Sequence, residues 1–224
     1  MMQLPQKAFP LVLILFSFVI GDKIAVTTKV KGTVELMAVG NIEFLNLKPG
    51  TVLSDGDKIR TGKLGFAAVI FIDDKTTLKL KENSEVVITG QRTAASISKK
   101  INMDAGTIRA KVSKQNTDFV IQTPTSVASV KGTDFWMITD PVSGDQVIGL
   151  EGLVGLVNNE TGEEVDITEG MTGMSTPDGQ VDVVETDQNT IPDDPDDEVE
   201  GPSQVRIYLE GPNGEQKALI IDYQ

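Results

Sequence analysis

Apolar residues along most of the chain recur in short alternating runs, a pattern typical of β-strands rather than helices. Leu78 and Leu80 alternate with lysines, so this strand is expected to have one face in the core and one in water. Residues 66–72 (FAAVIFI) are apolar at every position, which predicts a central strand buried on both faces. Similar runs recur about every ten residues over 22–176, so we predict an all-β domain with these bounds.

Glycines fall between many of these apolar runs, where the chain must turn. Those placed in this way are Gly40, Gly50, Gly56, Gly62, Gly65, Gly106 and Gly132. Because glycine adopts positive φ angles without steric strain, we expect corners at these positions and a tight reversal at Gly32. Frequent corners between short strands favour a β-solenoid-like fold of stacked strands, sandwich-like in part, with a barrel as the alternative.

The amino terminus carries a short apolar run after Lys7. Residues 8–20 read AFPLVLILFSFVI, and this run of 13 residues is shorter than the roughly 20 that a membrane span requires. It fits the hydrophobic region of a secretory signal, and Val19 and Gly21 are small enough to precede a cleavage site. We therefore predict that residues 1–21 are a signal peptide and that no stable membrane span remains after processing. An uncleaved anchor is the alternative; in either case the rest of the chain is expected in the periplasm or outside a bacterial cell.

Negative charge is concentrated near the carboxy terminus. Residues 177–224 contain 13 acidic and 2 basic residues, whereas 22–176 contain 20 and 17. Within the acidic part, residues 185–201 include two prolines and very few apolar side chains, so they cannot bury enough surface to fold alone. We predict that residues 177–201 form a disordered acidic linker.

A β-hairpin is predicted beyond this linker, over residues 202–224. Two apolar runs, 204–210 and 216–222, flank the turn sequence GPNG. Because an isolated hairpin is only marginally stable in water, this one must dock on its own domain or add to the sheet edge of another protein. We favour the second alternative, in which the linker holds the hairpin away from the domain as a contact element.

Composition excludes several classes of function. The chain has no Cys and no His, so disulfides, zinc–thiolate sites, Ser-His-Asp triads and Cys-His catalysis are ruled out. Lys and Arg number 20 against 33 Asp and Glu, and the net charge of −13 leaves little surface to neutralise phosphates. Nucleic acid is therefore not an expected partner.

A few residue pairs have the chemistry of a catalytic site. They are the Ser–Lys pairs Ser129/Lys131 and Ser98/Lys100 and the carboxylate pairs Asp73/Asp74 and Glu163/Glu164. A Ser–Lys dyad needs a buried lysine, and we expect these lysines in solvent. Adjacent carboxylates on a strand or turn point apart, so we expect surface charges rather than an acid/base pair. No catalytic residue is predicted.

Binding sites for small ligands are not predicted either. The acidic run at 193–198 is interrupted by Pro195 and lacks the alternating ligands and glycine of a Ca²⁺ loop, so it is interpreted as a solvated spacer. Trp136 lies in an apolar run and is expected in the core rather than on a sugar-stacking surface. Asn159 begins a short glycosylation sequon that has a high chance frequency. We predict no metal and no cofactor.

Several ordered blocks of the sequence resemble the FecR-type domain family. The first is 53–67 (LSDGDKIRTGKLGFA), and the second is 71–80 (FIDDKTTLKL), which is similar to the family's F-x-D-G-S-x-L-x-L segment. Residues 103–108 resemble Leu-x-x-G-x-[VI] more weakly, and 119–135 (FVIQTPTSVASVKGTDF) resembles F-x-V-x-T-P-x-x-x-A-x-V-[RK]-G-T-x-F. Asp74 stands where the family usually has a turn glycine, so a left-handed corner is expected near it.

The resemblance implies an external, non-catalytic β domain used for protein contacts in envelope signalling. The family's best-known members are anti-sigma regulators, but an anti-sigma segment is not expected here because the chain opens on an export signal. We predict an exported protein-binding or scaffold module with an unidentified envelope or extracellular protein partner and an undetermined oligomeric state. The alternative is an extracellular polysaccharide-binding or carbohydrate-active β-solenoid, against which the aromatic content of only 5% argues.

Overall fold

The computed structural model describes residues 21–92, 96–114, 117–194, 204–210 and 216–222. The predicted signal peptide therefore lies outside the described residues, apart from Gly21. None of the helical structure in the described ranges is long and apolar enough to cross a membrane.

The described residues form nineteen strands and one short 3-10 helix, Gln188–Thr190. The strands are β1 (Lys23–Lys31), β2 (Val34–Met37), β3 (Leu45–Asn46), β4 (Val52–Ser54), β5 (Asp57–Thr61), β6 (Phe66–Phe71), β7 (Thr77–Leu80), β8 (Glu85–Arg92), β9 (Ile97–Lys111), β10 (Phe119–Gln122), β11 (Ser126–Val130), β12 (Asp134–Asp140), β13 (Gly144–Glu151), β14 (Leu153–Asn158), β15 (Glu164–Thr168), β16 (Met171–Ser175), β17 (Val181–Glu185), β18 (Gln204–Glu210) and β19 (Gln216–Asp222). The all-β prediction is confirmed.

The first seventeen strands pair into two open layers that share β9. Sheet I has the order β4-β1-β6-β7-β9-β12-β13-β16-β17. Sheet II has the order β3-β2-β5-β8-β9-β10-β11-β14-β15. All of these pairings are antiparallel except that of β9 with β10. The architecture is therefore a β-sandwich. Parallel pairing, which is typical of a β-solenoid, occurs among the described strands only between β9 and β10.

β9 belongs to both sheets because it bends at Gly106. Residues 97–105 pair with β8 in sheet II, and residues 106–111 pair with β7 and β12 in sheet I. Gly106 has a φ of 117°, and a Cβ at this position would overlap Ser84. Glycine is thus required here both for its backbone angle and for the close approach of Ser84.

The hydrophobic core lies between the two sheets. Phe71 of sheet I and Phe119 of sheet II meet edge to face, with ring centroids 6.2 Å apart. Their neighbours form one continuous buried cluster with contributions from both layers, including Ile24, Ile88 and Ile121. Strands such as β6, β8 and β12 contribute alternate residues to this cluster, as the period-two pattern of the sequence predicts.

The outer face of sheet I is unusual because it is also apolar in part. Trp136 alternates with the core residues Phe135 and Met137 and so faces away from the core, yet it is only 1% exposed. Ile70 on β6 also packs outside the main core and is 1% exposed. This face must therefore be covered, which explains why residues 66–72 are apolar at every position.

The chain after β16 is ordered as far as residue 194, which corrects the prediction of a disordered linker over 177–201. Residues 181–185 form β17, which pairs with β16 along the edge of sheet I. Residues 187–194, which we call the strap, continue from it with Asp187 capping the short 3-10 helix. Of the predicted linker, only residues 195–201 lie outside the described ranges.

The carboxy-terminal hairpin forms as predicted, but its docking corrects the sequence-based interpretation. β18 and β19 form a separate two-stranded antiparallel sheet. Ile207 and Ile221 are both 7% exposed and pack against Val26 and Ile70 on the outer face of sheet I. The hairpin therefore docks on its own domain, face to face rather than by strand addition, because the apolar outer face of sheet I is the nearest surface that can bury its isoleucines.

The glycine corners are confirmed in part. Gly32 has a φ of 61°, as the predicted reversal requires, whereas Gly62 and Gly65 are not among the positive-φ residues. Gly65 instead permits close backbone packing, since a Cβ there would lie 2.9 Å from the backbone nitrogen of Gly62. The left-handed corner expected near Asp74 falls on its neighbour Lys75, with a φ of 62°.

Replacing Gly106 with alanine is expected to lower the free energy of unfolding by about 1 to 3 kcal/mol, because the substitution combines an unfavourable φ with overlap on Ser84. Urea denaturation followed by circular dichroism measures this loss. Gly162→Ala is the matched control, since its φ is 71° but nothing lies within 4 Å of the added Cβ. Equal losses in the two variants would contradict the close approach at Gly106.

Candidate functional site

A groove of about 810 Å³ opens where β11 turns into β12. Thr133 fixes this turn, because its backbone exchanges hydrogen bonds with Val112 and its hydroxyl donates to the Leu153 carbonyl oxygen at 3.0 Å. Gly132 lies so close to the chain that a Cβ would be 2.9 Å from Lys114 Cα. Residues Val130–Thr133, which match the V-[RK]-G-T part of the family pattern, therefore form one wall of the groove.

The groove is lined by charges of both signs. The charged lining residues are Lys111, Lys114, Lys131, Asp118, Asp134, Glu151, Glu164 and Asp166. One large apolar side chain, Leu153, also lines it and is 48% exposed. Charged residues around an exposed apolar residue resemble the rim and anchor of a protein-binding surface more than an enclosed pocket for a small molecule.

The two Ser–Lys pairs do not form dyads with buried amines. Ser129 and Lys131 both line the groove, but the Lys131 side chain is 69% exposed and its ammonium group lies 3.5 Å from the Asp118 carboxylate. Ser98 and Lys100 are exposed on the outer face of sheet II. A lysine that acts as a general base must be desolvated, and neither of these lysines is.

Asp73 and Asp74 converge, which corrects the prediction that they point apart as surface charges. Both carboxylates accept hydrogen bonds from Lys99 Nζ, at 2.9 Å and 2.8 Å. The Lys99 side chain is fully buried, and its Nζ lies 5.4 Å from the centre of the Phe71 ring. Because the Asp73 carboxylate also accepts the Ile97 backbone amide, this ion cluster ties the β6–β7 turn to the start of β9.

A second buried acid, Asp145, lies near the start of β13. The hydroxyls of Thr123 and Ser126 donate to its Oδ2, the first at 2.5 Å. Its Oδ1 and the Thr139 hydroxyl oxygen are buried without a hydrogen-bond partner among the described residues. Burial raises the pKa of the Asp145 carboxyl, and the hydroxyl donors oppose this shift. The Thr-Pro turn of the sequence pattern is thus anchored to an acid from the opposite sheet.

Four residues on the outer face of sheet I form a cationic and aromatic surface, which we call the basic face: Lys79, Lys81, Arg109 and Trp136. The Lys81 ammonium and the Arg109 guanidinium lie 5.7 and 5.8 Å from the centre of the Trp136 ring. Arg109 also binds the Asp134 carboxylate through Nε and Nη2, each at 2.9 Å. These hydrogen bonds raise the pKa of the Arg109 guanidinium and fix its orientation.

The strap binds directly to the basic face. Asp194 Oδ2 accepts from Lys79 Nζ at 2.8 Å and from Arg109 Nη1 at 2.6 Å, and its side chain is only 3% exposed. The Asp193 carbonyl oxygen accepts from Lys81 Nζ at 2.8 Å. Part of the acidic run thus has a specific structural contact; its remainder, from residue 195, lies outside the described ranges.

The remaining candidate residues from the sequence analysis lie at the surface, in a turn or buried. Glu163 and Glu164 are both exposed near the start of β15, where only the second lines the groove. The Asn159 amide nitrogen donates to the carbonyl oxygens of Thr123 and Pro124, so it is engaged in a turn. Trp136 is buried beside the strap and does not present a ring face for sugar stacking. In the described part of the chain, no group of three or more acidic side chains is arranged to hold a metal ion.

Sequence reasoning named Asp73, Asp74 and the acidic run at 193–198, but it did not single out the cations that bind them. Lys99 had a usable signal, because Ile97 and Ile101 on the same strand face predict that it points into the core. The contact between Arg109 and Asp194 had no such signal, since the two residues lie 85 positions apart in the sequence.

Comparison with known proteins finds one sequence family that matches part of the chain and two solved structures with a similar fold. A sequence model of the FecR protein family matches residues 57–155. The fold is similar to a crystal structure of a candidate anti-sigma factor from Parabacteroides distasonis ATCC 8503, with a TM-score of 0.50 and 14% sequence identity. The match covers 58% of this chain and 60% of that chain. A second crystal structure described in the same words, with the same identity and coverage, has a TM-score of 0.48. A search of the curated proteins finds no significant match.

Replacing Lys99 with methionine is expected to destabilise the fold by about 3 to 5 kcal/mol, because the substitution leaves two carboxylates in a half-buried site without their cation. Urea denaturation measures the loss. Lys100→Met, at the exposed neighbouring position, is the matched control and should change stability by about 0.5 kcal/mol or less. If the two variants are equally stable, the cluster does not stabilise the sandwich.

Asp145→Asn is expected to become more stable relative to the native protein as pH rises. With a raised pKa in the folded state, native Asp145 keeps its proton where the unfolded chain has released it, so native stability falls as pH increases through the raised pKa. Asparagine does not titrate, and its carbonyl oxygen can still accept from Thr123 and Ser126. Urea titrations of both proteins from about pH 4 to pH 7.5 measure the difference. Curves that stay parallel over this range would contradict the raised pKa.

Proposed function

We propose that the chain is an exported, non-catalytic protein-binding module in bacterial envelope signalling, and the match of residues 57–155 to the FecR protein family supports this proposal. The FecR family is regulatory rather than enzymatic, which supports the non-catalytic part of the proposal. Export rests on the short apolar run at residues 8–20, and the partner is a protein of the envelope or the cell exterior.

The groove at the β11–β12 turn is the observation that carries this proposal. Its wall is the Val130–Thr133 block that matches the family pattern, and its charged side chains surround the exposed Leu153. A side chain that is half exposed and flanked by charges can be buried by a partner without disturbing the core. Both candidate Ser–Lys pairs lack a buried amine, which also favours binding over catalysis.

Photo-crosslinking in intact cells tests the proposal. A photoreactive amino acid in place of Leu153 is expected to capture a specific protein from the envelope fraction. The matched control carries the same amino acid in place of Val142, which is 87% exposed in the β12–β13 turn and does not line the groove. Lys131→Glu in the Leu153-labelled chain should reduce the yield, because it reverses a charge on the groove wall. Equal products from both positions, or none from position 153, would overturn the proposal.

A further inference from the structure

The strap has the character of a bound ligand rather than of a sheet strand. Its described contacts with the basic face are two ion pairs from Asp194 and one hydrogen bond to the Asp193 carbonyl oxygen. The backbone hydrogen bond within its short helix is local, from Thr190 to Asp187. Most strap residues are exposed, and Asp194 is the buried one. Contacts of this kind can be exchanged without breaking a strand ladder.

We infer that the basic face is a binding site for an extended acidic segment of a protein partner, and that the strap is a built-in occupant which this segment must displace. The inference rests on the proposed protein-binding function and names the chemistry of the partner. The partner can bind only when the strap leaves the basic face. Its apparent affinity is therefore lower, the more stable the contact between the strap and the basic face is.

Charge complementarity favours an acidic occupant. Apart from the strap, the described ion pairs of the basic face set its three cations against one carboxylate, that of Asp134. The occupied state shows which groups an occupant must supply. It needs a carboxylate between Lys79 and Arg109, as well as a backbone carbonyl one residue earlier for Lys81.

The aromatic ring makes the site a recognition surface rather than a simple charge cluster. Trp136 turns away from the core but is 1% exposed, and its two cationic neighbours are the residues that hold the strap. Displacing the strap would release Lys81 and Arg109 from the oxygen atoms that hold them beside this ring, and water could then reach the ring. A partner segment that supplies a carboxylate and a carbonyl oxygen at the same places would return both cations to the ring.

Trp136 is the only tryptophan in the chain, so its fluorescence reports directly on the basic face. In the purified full-length chain, Asp194→Lys is expected to shift the emission to longer wavelength and to increase quenching by acrylamide. Asp182→Lys, at an exposed position on β17, is the charge-matched control and should leave both unchanged. Circular dichroism and thermal unfolding establish that both variants are folded, and Asp194→Asn replaces Asp194→Lys if the latter is not.

A peptide of residues 186–194 then tests recognition in trans. Added to the Asp194→Lys chain, it should return the emission to shorter wavelength, with an affinity that falls roughly threefold or more between low and physiological salt. The same peptide with asparagine at both terminal aspartates should not bind. Unchanged emission in folded Asp194→Lys, or no response to the acidic peptide, would overturn the inference. If the emission returns to shorter wavelength without the peptide, simply as the protein concentration is raised, the inference is also wrong, because a second copy of the chain would then occupy the site.

The failures of the two proposals are distinguishable. If photo-crosslinking from the groove finds no partner but the peptide binds the basic face, the proposed groove function fails and the acidic-segment site stands. If the groove captures a partner but the Trp136 emission does not respond, the groove function stands and the displacement by an acidic segment is wrong.

Discussion

The whole sandwich depends on one strand that belongs to both of its layers. β9 pairs within sheet II up to residue 105 and within sheet I from Gly106 onward, so the registers of both sheets are set by the same fifteen residues. A slip of one residue would exchange the inward and outward side chains of both layers at once. The glycine at the bend and the ion cluster at the start of β9 fix this register from two ends. Lys99, fully buried between Asp73 and Asp74, is the only charged side chain among the largest fully buried residues of the described chain.

The two faces of sheet I explain the organisation of the rest of the molecule. Its inner face packs on sheet II, while its outer face carries apolar residues at one side and the basic face nearer the middle. The hairpin covers the apolar side, and the strap binds the basic face. On the outer face of sheet II, Arg60 binds Glu35 at 2.7 Å and stacks on Phe44. The carboxy-terminal acidic segment is thus partly a third layer of the fold.

Local sequence pattern was sufficient for the strands but not for their partners. Alternation predicted the β domain, the continuous apolar run predicted β6, and the GPNG turn predicted the hairpin, because each depends on neighbours within a few residues. The family resemblance picked out residues 119–135, which include the groove wall Val130–Thr133, but it did not predict the groove. The layer order, the docking of the hairpin and the contact between Arg109 and Asp194 depend on residues far apart in the chain. The high density of acidic residues led to the wrong interpretation of 177–194 as disordered. The end of this segment is ordered because Asp194 binds Lys79 and Arg109, which the basic face already holds in place.

The hairpin joins the last strands of the chain to one of the first, because Ile207 and Ile221 pack on Val26 of β1. If the amino-terminal strands fold first, their outer face stays uncovered until residues 204–222 dock on it. During that interval β1 and β6 present Val26 and Ile70 to the surrounding medium. Docking of the hairpin is therefore a late folding step, and the intermediate that precedes it is the species most prone to aggregation.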